Sequence, residues 1–592
     1  MRPTIPSFTI DHGADHPGVL GPLPIVIGST GHRDLRPDDI PILEERVRSI
    51  LVELRERLPH TPIHIISPLA EGADRLVARV ALAAGCRVIV PLPMPRAIYL
   101  IDFESEESRA EFEELERQAH EVFELPIEIG TTAAEISEHC PKRDHQYGLL
   151  GAYIVRNSHA LIALWDGLLP ERSNGTADVV GFNLAGVPER FTPSRSLLEP
   201  NESDPVWHIL TPRLSNPSVD GEPLSLRTLY PSRTASEKEG EERFAKVLQG
   251  TERFNHDALR YEKELEKENG ASLADLFNVA EGKDLVDRDE DLSATRRLFA
   301  VADSLASRFS RHTHRTLTLL FAIVTGAVIV FDLYTHIYIT VWPLLLTYLL
   351  LLVATYALVV RSRKQIYQSR YLDYRALAEG LRVRFFWHLA GIDDEIADHY
   401  LHKQRSELDW IRYGLRVWSP TRGMDHSGID EAEEMRRLTL VQQAWVEDQF
   451  GYYATAAKRE EKRMHTAEKR AAIMVVIGIV LALFQVIQQG FIDPAPEKQP
   501  IHWLLVIVSL APILAGLLLG YVEKRAHGDH ARQYERMSIL FANARQHLER
   551  LIAAHDLKRA RRLIEELGRE ALAENGDWVL IHRDRPIEVP KA

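Results

Sequence analysis

Hydrophobic residues are distributed very differently in the two halves of the chain. The second half contains four long apolar stretches, at 316–333, 341–360, 471–487 and 501–522. Each is close to the ~20 residues that a helix needs to cross the hydrocarbon layer of a bilayer. The stretches come in two closely spaced pairs with basic flanks, which buried core helices of a soluble protein would not explain. The sequence therefore predicts two transmembrane hairpins.

Lysine and arginine are almost absent from the short connections inside the hairpins. Eighteen of these residues flank the outer ends of the four stretches, whereas the connections 334–340 and 488–500 contain only Lys498. Cytoplasmic flanks carry an excess of basic residues. We therefore expect a multi-pass protein of the inner (cytoplasmic) membrane with both termini in the cytoplasm. The first residues, MRPTIPSFTIDHG, lack the apolar core of a signal peptide, so we expect the first half to stay in the cytoplasm as well.

The first half alternates short apolar runs with amphipathic segments. The runs predict strands at 24–28, 63–66, 87–91, 160–165 and 205–210, and helical spacing predicts helices at 40–58 and 75–84. Strands that alternate with helices in this way are typical of a doubly wound sheet. The expected fold class is therefore α/β: a Rossmann-like parallel sheet domain, followed by an all-α C-terminal region with four transmembrane helices in two hairpins.

Small and polar residues follow the carboxyl ends of the predicted strands, where open α/β sheets bind ligands. Gly28 and Gly31 allow the chain to turn tightly and to approach a phosphate closely. Ser67 and the turn at 71–74 lead into a helix whose free N–H groups favour an anion, and 166–176 repeats the arrangement. Three such loops at one sheet edge predict a phosphate-bearing ligand of nucleotide size. The alternative is ordinary turn chemistry with N-caps.

Composition excludes several classes of protein. Two cysteines, Cys86 and Cys140, exclude a disulfide scaffold and a multi-cysteine metal site. The net charge of 71 − 85 = −14 leaves no basic field for nucleic acid, so no nucleic-acid partner is expected. His312 and His314 lack a carboxylate at metal-ligand spacing, and no metal site is predicted. The predicted spans contain no lysine or arginine, which argues against an ion-coupled transporter.

The two hairpins resemble each other. Each is entered by a polar helix with aromatic residues and left by another, at 298–309 and 368–386 for the first and at 449–460 and 530–548 for the second. Tyr374 and Tyr534 stand at matching points, 160 residues apart. The pattern predicts a duplicated unit, although any two hairpins share basic, helical flanks by composition. Such helices can pair with copies of themselves, so we expect a homo-oligomer.

Breaks in composition suggest where the domains begin and end. The stretch 199–236 is rich in proline and serine, and 237–268 is densely charged, as in a helix that forms a solvated linker or a coiled pairing surface. The expected organisation is an N-terminal tail (1–21), a sheet domain (22–215), a helical linker (216–290), a first two-transmembrane unit (291–400), a connector (401–440), a second such unit (441–565) and a C-terminal tail (566–592).

Four segments of the first half are distinctive: GSTGHRDL (28–35), SPLAEGADRLVA (67–78), LPMPRAIYLIDF (92–103) and ALWDG with NGTADVV (163–167 and 174–180). Together they resemble a SLOG-type Rossmannoid domain, a group related to the lonely-guy phosphoribohydrolases and the DprA-like proteins. The likeness covers about residues 22–215. The second hairpin, with WVEDQ (445–449) and the pair Tyr452–Tyr453, resembles SLATT, a two-transmembrane effector domain associated with SLOG sensors. The first hairpin lacks the tryptophan and the tyrosine pair.

The resemblance implies a membrane-anchored nucleotide sensor and effector. Its cytoplasmic domain would bind a nucleotide-derived signal, and its spans would perturb or permeabilise the membrane in bacterial conflict systems, as a pore-forming effector does. The implied nucleotide-binding residues are Gly28, Ser29, Gly31, His32, Arg33, Ser67, Glu71, Gly72, Asp74, Tyr99, Asp102, Asp166, Gly175 and Thr176.

Three of these residues have specific expected roles. Arg33 would grip phosphate oxygens with its planar guanidinium, unless it is simply an exposed loop arginine. Tyr99 and Asp102 would meet a base or ribose, with Tyr99 equally explained as a core aromatic. His32 has two interpretations, a general acid or a histidine that satisfies a backbone group.

Hydrolysis is the main alternative. Lonely-guy enzymes carry a Gly-Gly-x-Gly-Thr-x-x-Glu signature, but here SNGTADVV (173–180) lacks the first glycines and has Val179 at the position of the glutamate. Asp178 lies one place early, and Asp74 or Glu71 would have to supply the carboxylate. We therefore expect no catalytic residue and no cofactor beyond a nucleotide-derived ligand. A nucleotide N-glycoside hydrolase and a ligand-free membrane scaffold remain the alternatives.

Overall fold

The structure is a computed structural model that describes residues 22–168, 175–191, 204–231, 236–392, 394–401, 408–417, 430–488 and 502–586. The strands are β1 (Ile25–Gly31), β2 (Ile63–Ile66), β3 (Arg87–Leu92), β4 (Glu121–Glu124), β5 (Ala160–Trp165), β6 (Val206–Leu210) and β7 (Leu226–Leu229). The helices are α1 (Ile40–Arg57), α2 (Ala73–Ala83), α3 (Arg96–Tyr99), α4 (Glu106–Gln118), α5 (Pro141–Arg156), α6 (Thr176–Ala185), α7 (Glu237–Leu276), α8 (Lys283–Arg288), α9 (Glu290–His336), α10 (Trp342–Gln365), α11 (Tyr367–Leu389), α12 (Asp409–Val417), α13 (Glu431–Val441), α14 (Asp448–Ile487), α15 (His502–Lys524), α16 (His527–Ala553) and α17 (Leu557–Arg583).

The chain forms two compact units. The first unit comprises the described residues within 1–267, 289–301 and 393–428, and the second comprises those within 268–288, 302–392 and 429–592. Among the described residues, a seven-stranded, mostly parallel sheet lies in the first unit, and the helical region after it contains four helices long and apolar enough to cross a membrane. The predicted fold class is therefore confirmed.

The sheet has the strand order β4-β3-β2-β1-β5-β6-β7. All neighbouring strands are parallel except β6 and β7, which are antiparallel. The chain places β2, β3 and β4 on one side of β1 and then crosses to place β5, β6 and β7 on the other. The carboxyl ends of β1 and β5 therefore flank the topological switch point, where a crevice opens in folds of this kind.

The central strands are apolar on both faces because both faces are covered. Ile25 and Ile27 of β1 pack in one core cluster with α1 and α2, and Val26 packs in a second cluster with α5 and α6. Parallel strands buried on both faces read as continuous apolar runs. That is why these strands could be predicted from hydrophobicity alone.

The predicted and the observed strands differ in three places. The strand predicted at 24–28 was wrong at its end, because β1 continues to Gly31 by pairing its last residues with Ile162–Leu164 of β5. Two strands, β4 and β7, were not predicted. Their sequences, EVFE and LRTL, are half-exposed and mix charged with apolar residues, as expected at the edges of a sheet.

The first unit also contains helical segments beyond residue 215. In α7, Asn255 exchanges two hydrogen bonds with the backbone of Leu23, just before β1 (2.9 and 2.8 Å). Glu252 of the same helix accepts a hydrogen bond of 2.6 Å from Thr61, just before β2. The linker helix is thus fixed to the amino ends of the central strands, at the sheet edge opposite the switch-point crevice.

The second unit contains the two predicted hairpins, formed by α9 with α10 and by α14 with α15. Large apolar side chains on these helices are exposed, among them Leu349, Val353, Ile479 and Leu483. Exposed apolar surface on long helices with internally satisfied backbones is suited to lipid rather than to water. The chain is a multi-pass membrane protein that contacts the lipid bilayer. The connection 488–500 lies almost entirely outside the described residues.

Asp332 is the one carboxylate within the predicted span 316–333. An aspartate at the end of a span is expected to reach water at the membrane interface. Instead it is buried against the second hairpin, where Ser509 of α15 donates a hydrogen bond of 2.7 Å to its carboxylate. A polar bond between spans removes much of the cost of placing the group there.

The hairpins end in the same way. The break between α10 and α11 is at Ile366 (φ +45°), and that between α15 and α16 is at Ala526 (φ +55°). These residues are 160 positions apart, the same spacing as Tyr374 and Tyr534. A left-handed backbone is uncommon for any residue but glycine. Its recurrence at the same offset supports the predicted duplication.

Candidate functional site

The candidate site lies at the switch point, where residues that follow β1 meet residues that follow β5. His32 Nε2 accepts a hydrogen bond of 3.1 Å from the backbone N–H of Asp166 and lies 3.1 Å from its carboxylate. Burial lowers the pKa of His32 in spite of the nearby carboxylate, so the ring is neutral at pH 7. With Nε2 as the acceptor, the ring proton sits on Nδ1. The histidine thus satisfies a backbone group, one of the two roles expected of it.

Asp166 is a buried carboxylate with several partners. Its side chain is 3% exposed and accepts a hydrogen bond of 3.2 Å from the backbone of Leu168. Asn216 donates to its other oxygen at 3.5 Å, and Arg213 lies 3.7 Å away. Burial alone would raise the pKa of Asp166, but the hydrogen bond from the Leu168 backbone helps to lower it below its usual range. The group is therefore ionised, and its contacts connect the residues that follow β1, β5 and β6.

Sequence reasoning missed the contribution of the segment after β6. Arg213 donates to Asp34 at 3.1 Å, and the backbone of Ser215 donates to the same carboxylate at 3.1 Å. This segment falls in the stretch 199–236, which its composition suggested was a domain boundary. The position of β6 beside β5, rather than a motif, brings it to the site.

A second cluster surrounds Arg33. Its guanidinium lies 3.9 Å from the carboxylate of Asp102, which also accepts a hydrogen bond of 2.6 Å from Arg143 and another from Tyr147. Arg143 and Asp102 are buried, at 2% and 6% exposure, whereas Arg33 is 44% exposed. Arg143 therefore neutralises Asp102 from within, and Arg33 keeps its donors accessible from solvent.

Tyr99 belongs to the core. Its side chain is fully buried, its hydroxyl donates to the Pro68 carbonyl at 3.1 Å, and its ring packs edge-on against Phe103 and Phe112. Of the two interpretations of this residue, the structure places it in the aromatic core.

A third cluster joins β1, β2 and α2. Ser29 donates a hydrogen bond of 3.0 Å to the Asp74 carboxylate, and Ser67 donates one of 3.0 Å to the Asp74 backbone carbonyl. All three side chains are buried. Burial raises the pKa of Asp74 to about 7. These residues hold the loops after β1 and β2 in place.

Two glycines let those loops pack directly on each other. Gly72 has φ +76°, and a Cβ there would lie 2.3 Å from the carbonyl oxygen of Arg33. A Cβ on Gly31 would lie 2.3 Å from that of Ala73. The His32 carbonyl also accepts a hydrogen bond of 3.0 Å from the N–H of Ala73. One of the helix N–H groups expected to attract an anion is therefore used by the protein itself.

The remaining predicted residues lie apart from these clusters. Gly28 is inside β1, where a Cβ would meet Ile154 at 2.7 Å. Glu71 accepts a hydrogen bond from Ser108 of α4. Gly175 and Thr176 begin α6, whose first turn is capped when Asp178 accepts from the Gly175 N–H at 3.3 Å. Asn174 lies outside the described residues.

Two guanidinium groups, those of Arg33 and Arg213, remain partly exposed beside the crevice (44% and 27%). In the part of the chain that the structure describes, no group of three His, Cys, Asp or Glu side chains is placed to hold a metal ion.

Comparison with known proteins returned no match: neither a protein-family model nor any curated protein is significantly similar to this chain. The likenesses to SLOG and SLATT therefore depend on the segments quoted from the sequence.

Proposed function

We propose that the sheet domain binds a nucleotide-derived anion at the switch point and thereby controls the membrane unit. The observation that carries this proposal is the exposed guanidinium of Arg33, held beside the crevice that the strand order creates. A planar guanidinium binds two phosphate oxygens at once. The resemblance to SLOG domains adds the nucleotide class of the ligand.

Other donors near the crevice complement Arg33. The Nδ1–H of His32 makes no hydrogen bond with the described residues, and Arg213 is partly exposed. Gly175 and Thr176 begin α6, which packs on β1 and β5. We propose that phosphate oxygens bind Arg33 and Arg213, while His32 contacts a neutral acceptor on the ligand.

The proposed effect of binding is on the membrane. The helix α9 runs without interruption from Glu290 into the first predicted span, so a movement of its first turns would be passed along the helix. Moving an equilibrium from mostly closed to mostly open requires about 5.5 kcal/mol of differential binding. Four spans with so few polar residues do not line an aqueous channel alone, so a homo-oligomer would form the pore. We propose this as a defence effector of the bacterial inner membrane, with both termini cytoplasmic.

Thermal unfolding of the full chain in maltoside micelles tests the sensor. The panel contains mono-, di- and cyclic nucleotides and NAD derivatives. We expect a concentration-dependent rise in Tm with one compound, lost in Arg33→Ala and kept in Arg48→Ala, a control on the exposed face of α1. The active compound should then release dye from liposomes that contain the protein. A flat panel from folded protein contradicts the sensor and favours a ligand-free scaffold.

The hydrolase alternative is separated by its products. Asp74 is buried, and Glu71 accepts a hydrogen bond from Ser108, so both carboxylates already have partners within the protein. Incubation of the full chain with nucleoside monophosphates or NAD should release no free base on chromatography. Release that is lost in Asp74→Asn would replace the sensor by an N-glycoside hydrolase.

A further inference from the structure

The second unit contains a cavity of about 360 Å³ outside the predicted spans. It is bounded by α9, α11, α14, α16 and α17, so helices that continue from both hairpins meet around it. Its volume falls within the range of small-molecule sites. We name it the juxtamembrane cavity.

Aromatic rings form much of its wall. The rings of Tyr452, Tyr453 and Tyr534 have centroids 5.3 to 6.2 Å apart, and Tyr371 packs edge-on against Trp578 at 5.6 Å. Tyr452 is 45% exposed, so the cavity is accessible from solvent beside this ring. The faces of such rings attract cations, and recognition of ammonium groups by aromatic cages is a common use of this attraction.

The arginine in the wall is already neutralised. Arg375 makes ion pairs with Asp303 at 2.8 Å and with Glu379 at 2.5 Å, and Glu379 is also 3.4 Å from Arg382. Two carboxylates and two guanidinium groups thus balance one another. Arg311, at the rim, is paired with Glu268 at 2.7 Å.

Glu574 is the exception among the charged groups of the wall. Its carboxyl group makes no hydrogen bond or ion pair with the described residues, although it is half-buried and lines the cavity. Burial and the nearby Glu379 raise its pKa to about 8. A carboxylate withdrawn from water in this way ordinarily has a cationic partner, and none of the described residues makes an ion pair with it.

We propose that the juxtamembrane cavity binds a small organic monocation, with an ammonium or quaternary ammonium group between the tyrosine rings and against Glu574. The site is separate from the nucleotide crevice and does not depend on it. A cation bound there contacts helices that lead from both hairpins, so it would stabilise one arrangement of the spans.

Isothermal titration calorimetry on the full chain in maltoside micelles, free of choline lipids, tests the proposal. The probes are tetramethylammonium, ethanolammonium, choline and 3,3-dimethylbutan-1-ol, the uncharged carbon isostere of choline. We expect at least one cation to bind saturably and at least tenfold more tightly than 3,3-dimethylbutan-1-ol. Dihexanoylphosphatidylcholine distinguishes the source of the cation, since competition by this lipid would indicate a headgroup and no competition a soluble amine.

The variants separate a charge effect from a general loss of structure. Glu574→Gln should weaken binding at least tenfold, whereas Glu570→Gln, an exposed carboxylate one turn earlier on α17, should leave it unchanged. Tyr452→Leu should also weaken binding. No binding of any cation at millimolar concentration, equal binding of the isostere, or full binding by Glu574→Gln would each overturn the proposal.

The pH dependence of the unmodified protein provides a measurement that needs no variant. The charged and titratable groups around Glu574 are Arg311, Arg375, Glu379, Tyr371, Tyr452, Tyr453, Tyr534 and Asp577. Burial raises the pKa of Tyr453 and Tyr534 above the range tested, and Arg375 stays charged. Cation affinity should therefore rise about tenfold per pH unit below pH 8 and level off above it. A flat profile between pH 6 and 8 contradicts the assignment to Glu574.

Discussion

The edge of the sheet and the juxtamembrane cavity treat buried carboxylates in opposite ways. At the sheet edge, Asp102 and Asp166 are held by arginines and backbone or side-chain donors of the same unit. In the cavity, Glu574 has no partner among the described residues, and its pKa is raised to about 8. At the sheet edge, the paired carboxylates stabilise the packing of the loops, so only the hydrogen-bond donors that stay exposed beside the crevice can bind a ligand. An unpaired carboxylate is itself the binding group.

The largest expected effect comes from removing a paired carboxylate. Asp102→Ala leaves the guanidinium of Arg143 buried without its ion-pair partner, and breaking a buried pair costs about 3–5 kcal/mol. We expect a clear fall in the Tm of the full chain in micelles. Glu104→Ala, an exposed carboxylate two residues away, is the control and should change Tm little. Equal Tm values for the two variants would mean that the Arg143–Asp102 pair contributes nothing to the stability of the folded protein.

A smaller effect is expected where the two loops of the crevice touch. Gly72→Ala places a Cβ 2.3 Å from a backbone oxygen at φ +76°, and such strain costs about 1–3 kcal/mol. We expect a lower Tm together with loss of nucleotide binding, because the loop carrying Arg33 is displaced. Gly181→Ala is the matched control, since a Cβ there meets nothing within 4 Å and alanine favours the helix. If Gly72→Ala has the same Tm and the same nucleotide binding as Gly181→Ala, the inference that these loops pack closely is wrong.

Removing the unpaired carboxylate of Glu574 should stabilise the folded protein at high pH, whereas removing a paired carboxylate destabilises it. The pKa of Glu574 is raised in the folded state, so the folded protein holds a proton that the unfolded chain releases between about pH 4.5 and 8. Stability from this group is therefore lost as the pH rises through that window. Glu574→Gln should match the unmodified protein at pH 5 and exceed it at pH 9 by about 1 kcal/mol, after allowance for solvent screening. Thermal unfolding at both pH values measures this, and a variant less stable at pH 9 would show that Glu574 is paired.

The sequence allowed the central strands and the four spans to be predicted, but not the polar contacts of the candidate site. The apolar runs of β2 and β5 and the four spans are long enough to be recognised from hydrophobicity. The meeting of His32 with Asp166 depends on β5 lying beside β1, which the alternation of strands and helices does not specify. Arg143 and Tyr147 reach Asp102 from α5, 41 and 45 positions away, without any local motif.

The cavity was harder still to predict. Glu574 lies in the segment 566–592, which the sequence suggested was a tail, and the structure shows helix α17 there to Arg583. Its surroundings come from five helices spread over more than 260 positions, from Ala306 to Trp578. Which carboxylates have cationic partners depends on how the five helices pack together. The spacing of residues along one helix therefore does not reveal that Glu574 has no such partner among the described residues.

The smallest expected effect on stability belongs to the residue with the largest expected effect on function. Arg33 is 44% exposed and 3.9 Å from a carboxylate that Arg143 already neutralises, so Arg33→Ala should change the free energy of unfolding by no more than about 0.5 kcal/mol. Nucleotide-dependent stabilisation should nevertheless disappear, while the response of the juxtamembrane cavity to choline stays intact. Thermal unfolding with neither ligand, with nucleotide and with choline measures all three. If Arg33→Ala loses both responses, the substitution has damaged the protein in general. If it keeps the nucleotide response, Arg33 is not part of the site. Loss of the nucleotide response alone is the expected result, because the paired carboxylates of the crevice leave few other donors to bind a phosphate.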